Sequence, residues 1–250
     1  MITVAQVSDI HIGTSERNEA RAQRLFAHLA ELPRPVDAVL ITGDIADHGA
    51  PEEYEKIRAL IATLPYPVFT CPGNHDERGA YVKVLLGEER EDAGQGSVNR
   101  VHTAGGAIFA LCDSVIPGKP GGYLADETLQ WLDRVLTDAP DGAPVFVCFH
   151  HPPVLVHAPY LDGMRQTGGE RLAALLGRHR NVVAILTGHA HTPAATTFAG
   201  LPLLIAPSVI STTTLPWDGE GLIDEEAPAA LAYHVLDDDR RLITHFRVVL

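Results

Sequence analysis

Five apolar runs of this chain each end in side chains that can hold a metal ion. "VSDIH" closes on Asp9 and His11, "LITGDIAD" on Asp44 and Asp47, and "TCPGNHD" on Asn74 and His75. "CFHHPP" supplies His150 and His151, and "LTGHAH" supplies His189 and His191. Carboxylate oxygen, amide oxygen and imidazole nitrogen without thiolate suit borderline ions such as Mn, Fe, Zn or Co. Seven or more such ligands exceed one tetrahedral zinc and fit two ions about 3.5–4 Å apart that share a carboxylate. Two ions so placed lower the pKa of bound water, so hydrolysis by a hydroxide between them is the expected chemistry.

Side chains so far apart in sequence need a scaffold that brings strand ends together. The first third alternates β-branched runs with helical patterns: "ITVAQVS", a charged stretch from Glu16 to Leu32, "VDAVLIT", a stretch from Pro51 to Leu64, and "PVFTC". Pro51 suits the first turn of a helix, and Glu52 and Glu53 suit its positive end. Further on come "AIFALCD", a helix from about Asp126 to Leu136 with Asp126 as its N-cap, "PVFVCF", a helix near Gly169 to Arg178, and "VVAILTG". After residue 192 strands follow one another without helices, apart from an aperiodic loop over 211–228. The pattern predicts an α/β fold, a four-layer α/β/β/α sandwich of two packed mixed sheets flanked by helices, as one domain over residues 1–250. In such sheets the carboxyl ends of the strands form the edge where ligands collect.

Composition narrows the partners. A net charge of −13 on 250 residues disfavours long nucleic acid and anionic membrane, both of which need clustered Lys and Arg. Cys71, Cys112 and Cys148 form no CxxC pair and sit in or beside strand-like runs, so a disulfide framework is not expected. The opening residues read as a strand and no run reaches the length of a membrane span, which favours the cytoplasm. Nothing in the sequence opposes a homodimer.

The ordered set Asp9-x-His11, Gly43-Asp44-x-x-Asp47, Gly73-Asn74-His75-Asp76, His150 and Gly188-His189-x-His191 resembles the motifs of the calcineurin-like metallophosphoesterases. The resemblance implies one ion held by Asp9, His11 and His191 and another by Asn74, His150 and His189, with Asp44 bridging them. It implies that Asn74 and His75 contact the substrate phosphate, that His75 protonates or stabilises the leaving group, and that Asp47 orients His75. No cofactor beyond the two ions is implied. Asp76 is left to cap the following helix.

Departures from better-known branches narrow the substrate. Asp47 stands where purple acid phosphatases carry a tyrosine, and His48-Gly49 stands where Ser/Thr protein phosphatases carry Arg-Gly. The chain is most similar to class III cyclic nucleotide phosphodiesterases and related glycerophosphodiesterases, which share the Gly-Asn-His-Asp form and the continuation His150 to Pro153. The substrate so implied is a small phosphodiester, with a 3',5'-cyclic nucleotide first. A glycerophosphodiester, a 2',3'-cyclic nucleotide or a monoester is the alternative, and a non-catalytic scaffold a remote one. Among residues with no assigned ligand role, His151 is expected at the surface or behind a ligand, and His157 beside Tyr160 and Met164. Arg17, Arg21 and Arg24 are expected on a solvated helix face.

Overall fold

The structure, a computed structural model, describes residues 1–89 and 93–250. In chain order the first half contains β1 (Ile2–Val7), α1 (Glu16–Ala30), β2 (Ala38–Thr42), α2 (Pro51–Ile61), β3 (Val68–Cys71), α3 (Arg78–Ala80), β4 (Arg100–Ala104), β5 (Ala107–Leu111), β6 (Gly122–Tyr123) and α4 (Asp126–Asp138). There follow β7 (Val145–Cys148), α5 (Pro159–Asp162), β8 (Gln166–Thr167), α6 (Gly169–Leu176), β9 (Val182–Thr187), β10 (Ala194–Phe198), β11 (Leu201–Ile205), β12 (Thr212–Thr213), β13 (Ile223–Asp224), β14 (Ala230–Leu236) and β15 (Leu242–Val248).

Two large mixed sheets result, ordered β15-β14-β1-β2-β3 and β10-β11-β9-β7-β5-β4. Strands β1, β2 and β3 run parallel in the first, and β5, β7, β9 and β11 in the second. Successive side chains on a strand point to opposite faces, and these strands are apolar on both. Val4, Leu40, Phe109 and Phe146 therefore pack between the sheets. Ala5, Val39 and Ile41 pack against α1 and α2, while Val145 and Val147 pack against α4 and α6. The layers are α/β/β/α. A polar pin crosses them: the buried Gln6 amide donates to Thr42 Oγ1 at 2.9 Å and to the Thr187 carbonyl at 3.0 Å, tying β1 and β2 to β9 near their carboxyl ends.

Local signals set most boundaries. Ser15 caps α1 by accepting from the Asn18 N–H at 3.2 Å, a bond worth about 1 kcal/mol at a helix start, and Pro51 opens α2. Asp126 is the first helical residue of α4 rather than its cap. Ala125 takes the cap position without a side-chain bond, and the Asp126 carboxylate pairs with Arg171 instead. The 211–228 stretch is not wholly irregular, because β12 and β13 pair within it.

Candidate metal centre

The loops that leave β1, β2, β3, β7 and β9 meet where the two sheets open. Asp9 N–H donates to the Gly43 carbonyl at 3.1 Å, and the Ile10 and His11 N–H groups share the Asp44 carbonyl at 2.9 and 3.0 Å. The His189 N–H reaches both Asp9 carboxylate oxygens, at 3.2 and 3.0 Å. Three of the five runs, those of β1, β2 and β9, stop in left-handed residues: φ is +54° at Asp9, +47° at His11, +49° at Asp44, +68° at His189 and +52° at His191. Such backbone costs on the order of 1 kcal/mol or more per residue and persists where the surroundings over-determine it. The motif glycines allow the crowding. A Cβ on Gly43 would lie 2.3 Å from His150 Nδ1, and one on Gly188 1.8 Å from Ser8 Oγ.

One nitrogen of each histidine is held by an oxygen, which turns the other inward. His11 Nδ1 donates to Asp47 Oδ1 at 2.9 Å, His150 Nδ1 donates to the Thr42 carbonyl at 2.7 Å, and His191 Nδ1 meets Ser211 Oγ at 2.9 Å. The His189 ring is bonded to the Met164 carbonyl. This is how proteins fix imidazoles that ligate metals. The Nε2 atoms of His11 and His191 then lie 3.3 Å apart. Asp44 Oδ2 is 3.5 Å from His11 Nε2 and 3.3 Å from His150 Nε2, and Asp9 Oδ1 is 3.5 Å from His191 Nε2. Among the described residues, His150 Nε2 and His189 Nε2 are buried with no hydrogen-bond partner. Buried nitrogens left bare beside two buried carboxylates are costly as they stand and fit cations placed among them.

Among the described residues four overlapping groups could each hold an ion: Asp9, His11 and His191; Asp9, Asp44 and His150; His11, Asp44 and His75; and His150, His151 and His189. The first is one trio that the motifs implied, and Asp44 belongs to two of the others. The electrostatics also call for positive charge. Burial alone would lower the His150 imidazole, but the carboxylates of Asp44 and Asp9 outweigh it and raise the ring to about 9. Burial lifts Asp9 to about 6 and pushes His189 and His191 down to about 3. An imidazole must be neutral to ligate a metal, so an ion held here would bind with release of protons.

Asn74 and His75 face the same space differently. Asn74 Oδ1 is 3.0 Å from His151 Nε2, and His151 Nδ1 is 2.8 Å from Ser114 Oγ. His151 is completely buried, not a surface residue, and holds Asn74 from behind. His75 is 42% exposed at its side chain, and its ring meets His11 edge-on at 4.5 Å. Asp47 meets His75 as the motifs imply, but through its main chain: the His75 Nδ1–H donates to the Asp47 carbonyl at 2.8 Å, with the carboxylate 3.7 Å away and committed to His11. Asp76 caps no helix. It is buried, pushed up to about 6 by that burial, and accepts from the N–H groups of Gly73, Ile45 and Ala46 and from the Tyr54 hydroxyl. Glu77 caps α3 in its place.

His151→Ala is expected to leave Asn74 unsupported and weaken metal at the His150–His189 side by about 10–100-fold, with the Asp9–His11–His191 side still filling. Metal titration of the stripped variant would reveal two unequal sites. Equal affinities at wild-type strength would assign His151 to packing alone.

Above this floor opens a cavity of about 430 Å³, walled by Tyr160, Leu161, Met164, Ile210 and Ile223. His157 is exposed and does not line it. Ser211, Ser114 and Thr42 carry no motif signal, and only the folded chain puts them behind the histidines.

Residues 2–193 match the family model described as calcineurin-like phosphoesterase. A 3',5'-cyclic-nucleotide phosphodiesterase of Nostoc sp. is 32% identical over 76% of this chain and 71% of its own length. A glycerophosphodiester phosphodiesterase of Enterobacter lignolyticus is 30% identical over 83% of this chain and 77% of its own. In fold, a dimetal phosphatase from Danio rerio superposes with a TM-score of 0.74 at 17% identity, over 100% of this chain and 96% of its own. The family model spans more than half of the chain, so the chain belongs to the calcineurin-like phosphoesterase family and is a phosphoester hydrolase.

Proposed function

We propose that the chain is a two-metal phosphodiesterase for a small diester, a 3',5'-cyclic nucleotide in the first place. The observation that carries this reading is the convergence of inward-turned Nε2 atoms and the Asp9 and Asp44 carboxylates directly beneath an open cavity, with His75 at its edge. Asp9, His11, Asp44 and His191 would hold one ion and Asp44, Asn74, His150 and His189 the other. Ions held there supply a hydroxide at neutral pH and positive charge for the phosphoryl oxygens.

The chain's own groups do the rest. His75, with its Nδ1–H fixed on the Asp47 carbonyl, can give the leaving oxygen the Nε2 proton of its imidazolium form and is left as the neutral Nδ1–H tautomer. Among the described residues that line the cavity, Arg17 is the one Lys or Arg, and it is paired with Glu226 at 2.7 Å. A site with so little free cationic side chain suits the single charge of a diester better than the double charge of a monoester. The cavity lies within the range of about 300–1,000 Å³ usual for small-molecule sites, and its apolar walls suit a flat base. A glycerophosphodiester is the second reading, favoured by the Enterobacter relative and by Ser15, Asn18 and Ser211 along the same cavity.

The test is Mn-reconstituted enzyme assayed against 3',5'-cyclic AMP and GMP, 2',3'-cyclic nucleotides, glycerophosphodiesters and an aryl diester, each beside its matched monoester. Diesters are expected to lead their monoesters in kcat/KM, and the 3',5'-cyclic nucleotides to lead the diesters. The reverse order in the first comparison rejects a diesterase and leaves the metal centre standing. The reverse order in the second hands the site to the other diester.

A further inference from the structure

Arg21 lies in the second turn of α1, where the sequence suggests a solvated face, yet it is 5% exposed. Its guanidinium donates to the Ile210 carbonyl and, at 2.8 Å, to the Glu225 carbonyl. Burying a charge is costly unless it is hydrogen-bonded, and among the described residues the hydrogen bonds of Arg21 go to these two main-chain carbonyls. Those carbonyls stand at the two feet of the β12–β13 hairpin. The hairpin has only two paired residues on each strand and belongs to neither large sheet. An isolated ribbon of that length is marginal by itself. Its tip leaves Trp217 and Leu222 exposed, while Ile210, Thr213, Ile223 and Glu225 line the cavity. Beyond Arg21, the exposed Arg17–Glu226 pair adds a weaker outer tie.

We propose that Arg21 is a positioning residue that clamps the β12–β13 hairpin to α1 and thereby sets the width of the cavity for the larger ester arm of the substrate. This rests on reading the cavity as the substrate pocket. The hairpin is then a selecting wall. It discriminates among diesters by the size of the arm directed toward Ile210 and Ile223, without touching the phosphorus. An arginine is required because its planar fork can satisfy two carbonyls at once, whereas a lysine offers one point charge.

The experiment compares Arg21→Met, Arg21→Lys and the milder Glu226→Gln with the wild type. Hydrogen exchange across residues 208–228, metal content, and kcat and KM are measured, the last two on methyl p-nitrophenyl phosphate and on the best large-armed diester. Arg21→Met is expected to speed exchange in the hairpin by about tenfold or more while β1 and β9 stay protected. It should raise KM for the large-armed substrate by about tenfold, with kcat within about threefold, KM for the methyl ester within about twofold and both metals retained. Arg21→Lys should fall between Arg21→Met and wild type, and Glu226→Gln should shift exchange and KM in the same direction by about twofold.

Unchanged exchange in the hairpin overturns the clamp. So does an equal rise in KM for small and large arms, or a loss of kcat that tracks lost metal. If Arg21→Met does not fold, the same pattern is read from Arg21→Lys and Glu226→Gln, and its absence there overturns the proposal. A wild type without diesterase activity would defeat the pocket reading, while the exchange data would still report on the clamp.

Discussion

Asp44→Ala is expected to empty both metal positions and to lower turnover by about 10³-fold or more, because the several kcal/mol that bound ions lend a phosphoryl transition state disappear together. Asp44 Oδ2 is within 3.5 Å of Nε2 on both His11 and His150, and Oδ1 accepts the His75 N–H at 3.0 Å. Among the described residues no other carboxylate lies within 3.5 Å of a ligand nitrogen on both sides. Asp9 Oδ1 is 3.9 Å from His150 Nε2 and lies nearer His191. His191→Ala should therefore weaken one position and leave the other. Metal content per chain, measured after loading and desalting, decides the matter. Two ions retained by Asp44→Ala would refute the bridging role.

His75→Ala should behave in the opposite way, keeping both ions and losing rate selectively. A loss of about 10²–10⁴-fold is expected on diesters that release a poor alkoxide, and a much smaller one on activated aryl esters, whose leaving groups depart without a proton. The retained ions follow from geometry, since Asn74 is fixed by His151 and Asp44 by its own neighbours. Equal losses on good and poor leaving groups would make His75 a phosphate-binding group. Asp47→Ala should not imitate it. The Asp47 carboxylate holds His11 while its carbonyl holds His75, so the variant should keep the leaving-group dependence of the wild type and bind one metal more weakly.

The sequence by itself determined the architecture and the chemical character of the site. Strands alternate with helices in periods of 2 and 3.6 residues, so apolar runs such as residues 38–42 and 145–148 declare themselves locally, and the polar residues that end them must lie at the strands' carboxyl edge. Asp9, His11, Asp44, Asp47, Asn74, His75, His150, His151, His189 and His191 could be brought to one edge for that reason, and the family resemblance implied which seven of them are ligands. Tertiary structure alone decided which atoms face inward. The Thr42 carbonyl and His150 are 108 residues apart, and Arg21 and Glu225 are 204 apart. These bonds exist only because the two sheets pack with their carboxyl ends together and α1 lies against the returning chain. Main-chain carbonyls that select an imidazole nitrogen or satisfy a buried guanidinium carry no side-chain signature. Nothing in the order of residues could therefore show that Asp47 turns its carboxylate to His11, that His151 stands behind Asn74, or that Arg21 leaves the solvent to hold a hairpin.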